Sequence, residues 1–135
     1  MIPLDINAAR ARFRLGPLGR WFGWSDNAII GVNLTFKPNG TGEFEAWGLY
    51  YFDPNPADEP LFHWRSVGDR RIEIIHQRET RLINYDFRIV EDQYNVKSIT
   101  MFELGKEPGA YGEIGFWESP YSLLYSERQP HHLAN

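Results

Sequence analysis

The stretch Arg81-Leu82-Ile83-Asn84-Tyr85-Asp86-Phe87-Arg88-Ile89-Val90-Glu91 alternates side chains with a period of two. Ile83, Tyr85, Phe87 and Ile89 fall on one face, and Asn84, Asp86, Arg88 and Val90 on the other. An amphipathic helix would repeat its apolar residues about every 3.6 positions. A strand with one face in a core and the other in water produces the observed pattern. Residues 81–91 are therefore predicted to be a strand, and the question becomes what the rest of the chain pairs with it.

The same period runs outward in both directions. Ala28–Lys37 places Ile30, Val32, Leu34 and Phe36 on one face. Pro38-Asn39-Gly40 follows as a hairpin turn, since Asn-Gly supplies the positive φ angles such turns need. Thr41–Phe52 is the return strand. Residues 53–60 hold three prolines and three acids, which makes a stiff exposed loop. Leu61–Val67, a turn at Gly68-Asp69, and Arg71–Gln77 lead into the central strand. Val96–Leu104 follows it, then a glycine-rich loop to Gly112, then Glu113–Glu118 and Tyr121–Glu127, split by Ser119-Pro120. Gly19–Trp24 precedes them all. Ahead of it, residues 5–15 read as a short helix. Asp5 caps it, Ile6, Ala9 and Phe13 share one face, and Gly16-Pro17 ends it. Arg10, Arg12, Arg14 and Arg20 read as a solvated face. The tail, residues 129–135, reads as flexible.

Short strands joined by sequential hairpins predict an all-β fold. A closed antiparallel up-and-down barrel of about eight to nine strands with a short N-terminal helix fits best, because closure removes exposed strand edges. Residues 1–135 read as a single barrel domain, with 42% hydrophobic and 24% charged residues. No apolar run has the length of a spanning helix, so no membrane partner is expected. Residues 1–5 lack a basic leader followed by an apolar stretch, and with no cysteine the expected compartment is the cytoplasm. Net charge is −4. That balance disfavours nucleic acid and favours an uncharged ligand or a basic partner.

Gly19-Arg20-Trp21, opening the first strand after a short helix, resembles the Gly-x-Trp signature of the lipocalins and their wider calycin superfamily. The resemblance implies a closed barrel end with the Trp21 ring packed beneath an arginine near the last strand. Arg128 stands at the matching place, so a cation–π clasp between Trp21 and Arg128 is implied. Typical members are secreted and disulfide-bonded, and this chain lacks both features.

Catalytic chemistry finds little foothold. His63 and His76 lie on separate strands without acidic partners at metal-ligand spacing, and His131-His132 lies in the tail, so no metal site is expected. Glu43, Glu45, Glu73, Asp86, Glu103, Glu113 and Glu118 fall mostly on outer strand faces, where they keep a sheet soluble. No serine has a nucleophile-elbow context. The expectation is a non-enzyme without cofactors.

One strand breaks the alternation. Trp47-Gly48-Leu49-Tyr50-Tyr51-Phe52 is apolar on both faces. Tyr50 and Phe52 align with the inward face, leaving Trp47, Leu49 and Tyr51 outside, beside the acids Asp53, Asp58 and Glu59. An outer apolar patch with a charged rim suits a protein interface, unless helix 5–15 covers it. The expected function is a cytoplasmic binding protein that neutralises a basic protein partner. In size, charge and shape the chain is similar to bacterial immunity proteins, which sequester toxins such as nucleases. Trp47 and Tyr51 would be the anchors, with the three acids steering the partner. The alternative is a lipocalin-like carrier holding a small apolar or aromatic ligand between Ile30, Val32, Leu34, Tyr85 and Phe87.

Overall fold

The computed structural model describes residues 4–24, 30–48, 62–110 and 112–126, without the side chains at 24, 30 and 46–48. Helix α1 (Ile6–Arg12) precedes eight strands: β1 (Gly19–Trp24), β2 (Ile30–Phe36), β3 (Thr41–Gly48), β4 (Phe62–Gly68), β5 (Arg71–His76), β6 (Glu79–Glu91), β7 (Lys97–Glu103) and β8 (Leu123–Ser126). They form a closed antiparallel barrel in sequence order. Closure comes from β8 returning to β1 through Arg20↔Ser126, Trp21↔Tyr125 and Phe22↔Leu124.

Alternation decides what enters the barrel. Val32, Leu34 and Phe36 on β2, Ile72 and Ile74 on β5, Ile83, Tyr85 and Phe87 on β6, and Ile99 and Met101 on β7 are all buried. Each fully buried apolar side chain of this size contributes about 1.5–3 kcal/mol. Ile89 keeps the parity of Phe87 but is 43% exposed, because β6 runs past the barrel rim there. Gly42 lies against the Phe62 ring: a Cβ at residue 42 would sit 2.0 Å from it, so only glycine admits that ring to the core.

Two turns differ from expectation. Pro38-Asn39-Gly40 does turn the chain, but only Gly40 takes a positive φ (85°), while the Asn39 side chain accepts from the Thr41 amide and hydroxyl. The two-residue turn with two positive φ angles is Gln77-Arg78 (50° and 69°), between the paired His76 and Glu79. It lets β6 begin at Glu79, two residues before the expected Arg81.

Residues 113–118 are not a strand. They form an irregular segment with a single bridge, Phe116↔Ser119, and Trp117 takes a positive φ of 49°. The apolar alternation of Ile114 and Phe116 imitates a strand. A tight turn instead delivers Phe116 and Trp117 into the core.

Since neighbouring strands alternate in direction, the connections sort to two ends. The helical end carries α1 and the turns at 37–40, 69–70 and 92–96. At the opposite end lie the turn 77–78, the ends of β7 and β8 that flank 104–122, and the strand ends that flank 25–29 and 49–61.

Candidate binding surfaces

At the helical end the arginines of α1 and its exit stay exposed or half-buried, as expected of a solvated face, and three of them also act as fastenings. Asp5 caps α1 by accepting from the Asn7 and Ala8 amides. Arg10 reaches Asp86 on β6 with both Nε (2.8 Å) and Nη2 (2.9 Å). Burial pushes the Asp86 carboxyl up, but the hydrogen bonds from Arg10 and the Phe87 amide, with the charges of Arg10 and Arg70, outweigh it and hold it below the usual range. Arg14 pairs with Asp69 at 2.9 Å. The apolar stripe of α1 closes the barrel end, with Ala9 and Phe13 buried. Tyr85 donates its hydroxyl proton to the Phe13 carbonyl at 2.5 Å. Burial drives the Tyr85 phenol well up, against smaller opposing effects of Arg70 and the Gly16 backbone.

Trp21 lies at the seam of first and last strands. Its ring meets Phe13 at 5.0 Å and Tyr125 at 5.3 Å, and its Nε1 donates to the Pro17 carbonyl. The cation over these rings is Arg12, 4.8 Å from the Tyr125 centroid and 5.2 Å from that of Phe13. Arg128, expected in this place, lies outside the described residues.

The barrel interior is occupied by its own side chains. Val32, Leu34, Tyr85 and Phe87 point inward, none more than 3% exposed. Phe116 crosses the middle, touching Phe36 on β2 at 6.1 Å and Tyr85 on β6 at 6.3 Å. Trp117 fills the space beside it, 4.9 Å from Phe62, 5.8 Å from Phe44 and 5.5 Å from His76. The two grooves that stand out among the described residues are lined by none of Val32, Leu34, Tyr85 and Phe87.

Glu103 anchors this plug, the one buried exception among the seven carboxylates expected to lie mostly outside. It shares parity with Ile99 and Met101, so it faces inward and is 7% exposed. It accepts from Arg81 at 2.8 Å and from the Trp117 amide at 2.9 Å. Lys106 completes the cluster, donating to the Trp117 carbonyl; burial lowers the pKa of its ammonium, opposed chiefly by Glu103. Among the described residues, no group of three or more His, Asp and Glu side chains is arranged to hold a metal.

Topology also partitions charge. The sequence between the strand ends opposite α1 contains Asp26, Asp53, Asp58, Glu59, Glu107, Glu113 and Glu118 against only Arg78 and Lys106. At the helical end, residues 4–18 and the three turns contain Arg10, Arg12, Arg14, Lys37 and Arg70 against Asp5, Asp69 and Asp92. This is a count of the sequence between strand ends; Asp26, Asp53, Asp58 and Glu59 themselves lie outside the described residues.

Of the residues expected at a protein interface, Trp47 is placed by its backbone on β3, opposite Gly31. Its side chain, and Leu49, Tyr51, Asp53, Asp58 and Glu59, lie outside the described residues. The backbone of Ile30 pairs with Gly48, also without a described side chain. Helix α1 packs on the barrel end and β6, and Ala9 and Phe13 are engaged there rather than on the outer face of β3.

No known family model, curated protein or solved structure matches the chain.

Proposed function

We propose that this barrel is a non-catalytic binding protein whose acidic end receives a basic protein partner, in the manner of an immunity protein against a cationic toxin. The observation that carries this is the charge partition. The segments of sequence between strand ends on the side opposite α1 hold seven acids against two cations, and one of them begins just after Trp47 and Gly48. A one-signed end of a small protein steers an oppositely charged surface toward it, and aromatic anchors beside the acids would then hold the complex. A carrier role is less well supported, since Phe116 and Trp117 occupy the centre a ligand would need.

The test is affinity purification from the native host at low and raised salt. The expected companion is one basic protein, retained at low salt. Asp53→Lys, Asp58→Lys and Glu59→Lys together should weaken its retention by at least about tenfold, mostly by slowing association. The matched control is Arg14→Glu with Lys37→Glu at the helical end, which should leave retention unchanged. Recovery of the barrel alone, or a companion indifferent to the acidic end, would remove the proposal.

A further inference from the structure

The second surface that stands out shares Glu113 with the acids counted above but is built around the β6–β7 hairpin. Strands β6 and β7 stay paired from Tyr85↔Glu103 to Glu91↔Lys97, but β7 meets β8 only at Thr100↔Leu124 and Met101↔Leu123. Beyond Thr100 no further β7–β8 pairs form, and a groove of about 410 Å³ lies between that hairpin and residues 112–122. Val90, Val96 and Leu124 give it apolar lining, and Ser98 and Ser122 contribute hydroxyls.

Arg88 lines this groove and is the one cation among its described lining residues. It differs from its neighbours on the barrel. Arg10, Arg14, Arg65, Arg70 and Arg81 each reach a carboxylate. Arg88 reaches none among the described residues. Its Nη2 makes only long hydrogen bonds, 3.3 Å to the Gly112 carbonyl and 3.4 Å to the Ser122 hydroxyl. Its Nε is shut away from water with no acceptor among the described residues. Stacking 5.6 Å from the Phe102 centroid holds the guanidinium in place. A half-buried, oriented guanidinium with weak acceptors retains its capacity for a strong one, and a planar carboxylate matches its fork.

We propose that Arg88 anchors a small monocarboxylate with an apolar body in this groove, its carboxylate on the guanidinium and its body against Val90, Val96 and Leu124. The acids Glu91, Asp92 and Glu113 on the same lining set the charge of the ligand. They tolerate a single negative charge neutralised by Arg88 and repel a dianion such as a phosphate monoester.

The test is titration of ¹⁵N-labelled protein with phenylacetate, its neutral amide phenylacetamide, and phenyl phosphate, followed by NMR. Phenylacetate should give saturable shifts at the Arg88 Nε–H and the Ser98, Gly112 and Ser122 amides, in the millimolar range or tighter. The amide and the phosphate should each bind at least about tenfold more weakly. Arg88→Lys should lose about tenfold by removing the bidentate fork, with the barrel's circular dichroism unchanged. The proposal is overturned if phenylacetate fails to saturate, if the amide binds equally well, if Arg88→Lys binds as tightly as the parent, or if the shifts map elsewhere.

Discussion

Replacing Phe116 with alanine tests whether the barrel is solid. Phe116 is fully buried and touches rings on opposite sides of the barrel, Phe36 and Tyr85. Its backbone cannot follow a shrinking side chain inward: the Phe116 amide donates to the Ser119 carbonyl, and the Gly115 carbonyl accepts from the Glu103 amide. The space therefore stays open. Loss of a buried phenylalanine with little collapse costs about 3–5 kcal/mol, and the pinned backbone places this site in the upper part of that range. Guanidinium denaturation followed by tryptophan fluorescence should show a lower midpoint at unchanged m. The melting temperature should fall by about 10–20 °C. The apolar hole should take up benzene, which the parent excludes. Phe102→Ala, at a partly exposed outward position, is the control and should cost much less. A loss below about 1.5 kcal/mol for Phe116→Ala, or benzene uptake by the parent, would mean that the interior already holds free space.

Four further perturbations follow from the same contacts. Gln77→Asn with Arg78→Gly relieves two left-handed residues in the β5–β6 turn and should raise stability by about 1–2 kcal/mol in chemical denaturation. The raised Tyr85 phenol stabilises the fold fully below its ordinary value of 10.0 and progressively less as pH climbs above it. Tyr85→Phe should flatten that alkaline limb of a pH–stability curve and cost about 1 kcal/mol at neutral pH for the lost bond to Phe13. Asp86 has the opposite sign: its depressed carboxyl stabilises above the ordinary value of 3.8 and loses that contribution as pH falls below it, so Asp86→Asn should flatten the acid limb. Glu103→Ala leaves the Trp117 amide without its buried acceptor and should cost about 1–3 kcal/mol, with a shift in tryptophan emission.

How much was legible depends on range. Residues 30–36 and 83–87 announce themselves because alternation is local, and Pro38-Asn39-Gly40 because turn chemistry is local too. Residues 113–118 misled because Ile114 and Phe116 carry strand spacing while the preference of Ser119-Pro120 for a turn acts only in context. Gln77-Arg78 carries no turn signature, and its conformation is imposed by the pairing of β5 with β6. The roles of Arg10, Arg12 and Glu103 depend on partners 76, 113 and 14 residues away, at Asp86, Tyr125 and the Trp117 amide. The groove around Arg88 was not legible at all, since it arises where a ladder stops. The interface expected around Trp47 rests on sequence and strand direction.

The return of β8 to β1 has a consequence for how the molecule is made. Seven of the eight ladders join neighbours in sequence and can zip as the chain emerges from the ribosome. The eighth, joining Arg20 to Ser126, waits for the last strand, across a separation of 106 residues. Until then the nascent sheet has two raw margins, on β1 and β7, and a half-formed plug. Translation pausing within residues 104–122 would prolong that open state, and aggregation of the unfinished chain should be most sensitive to delay there.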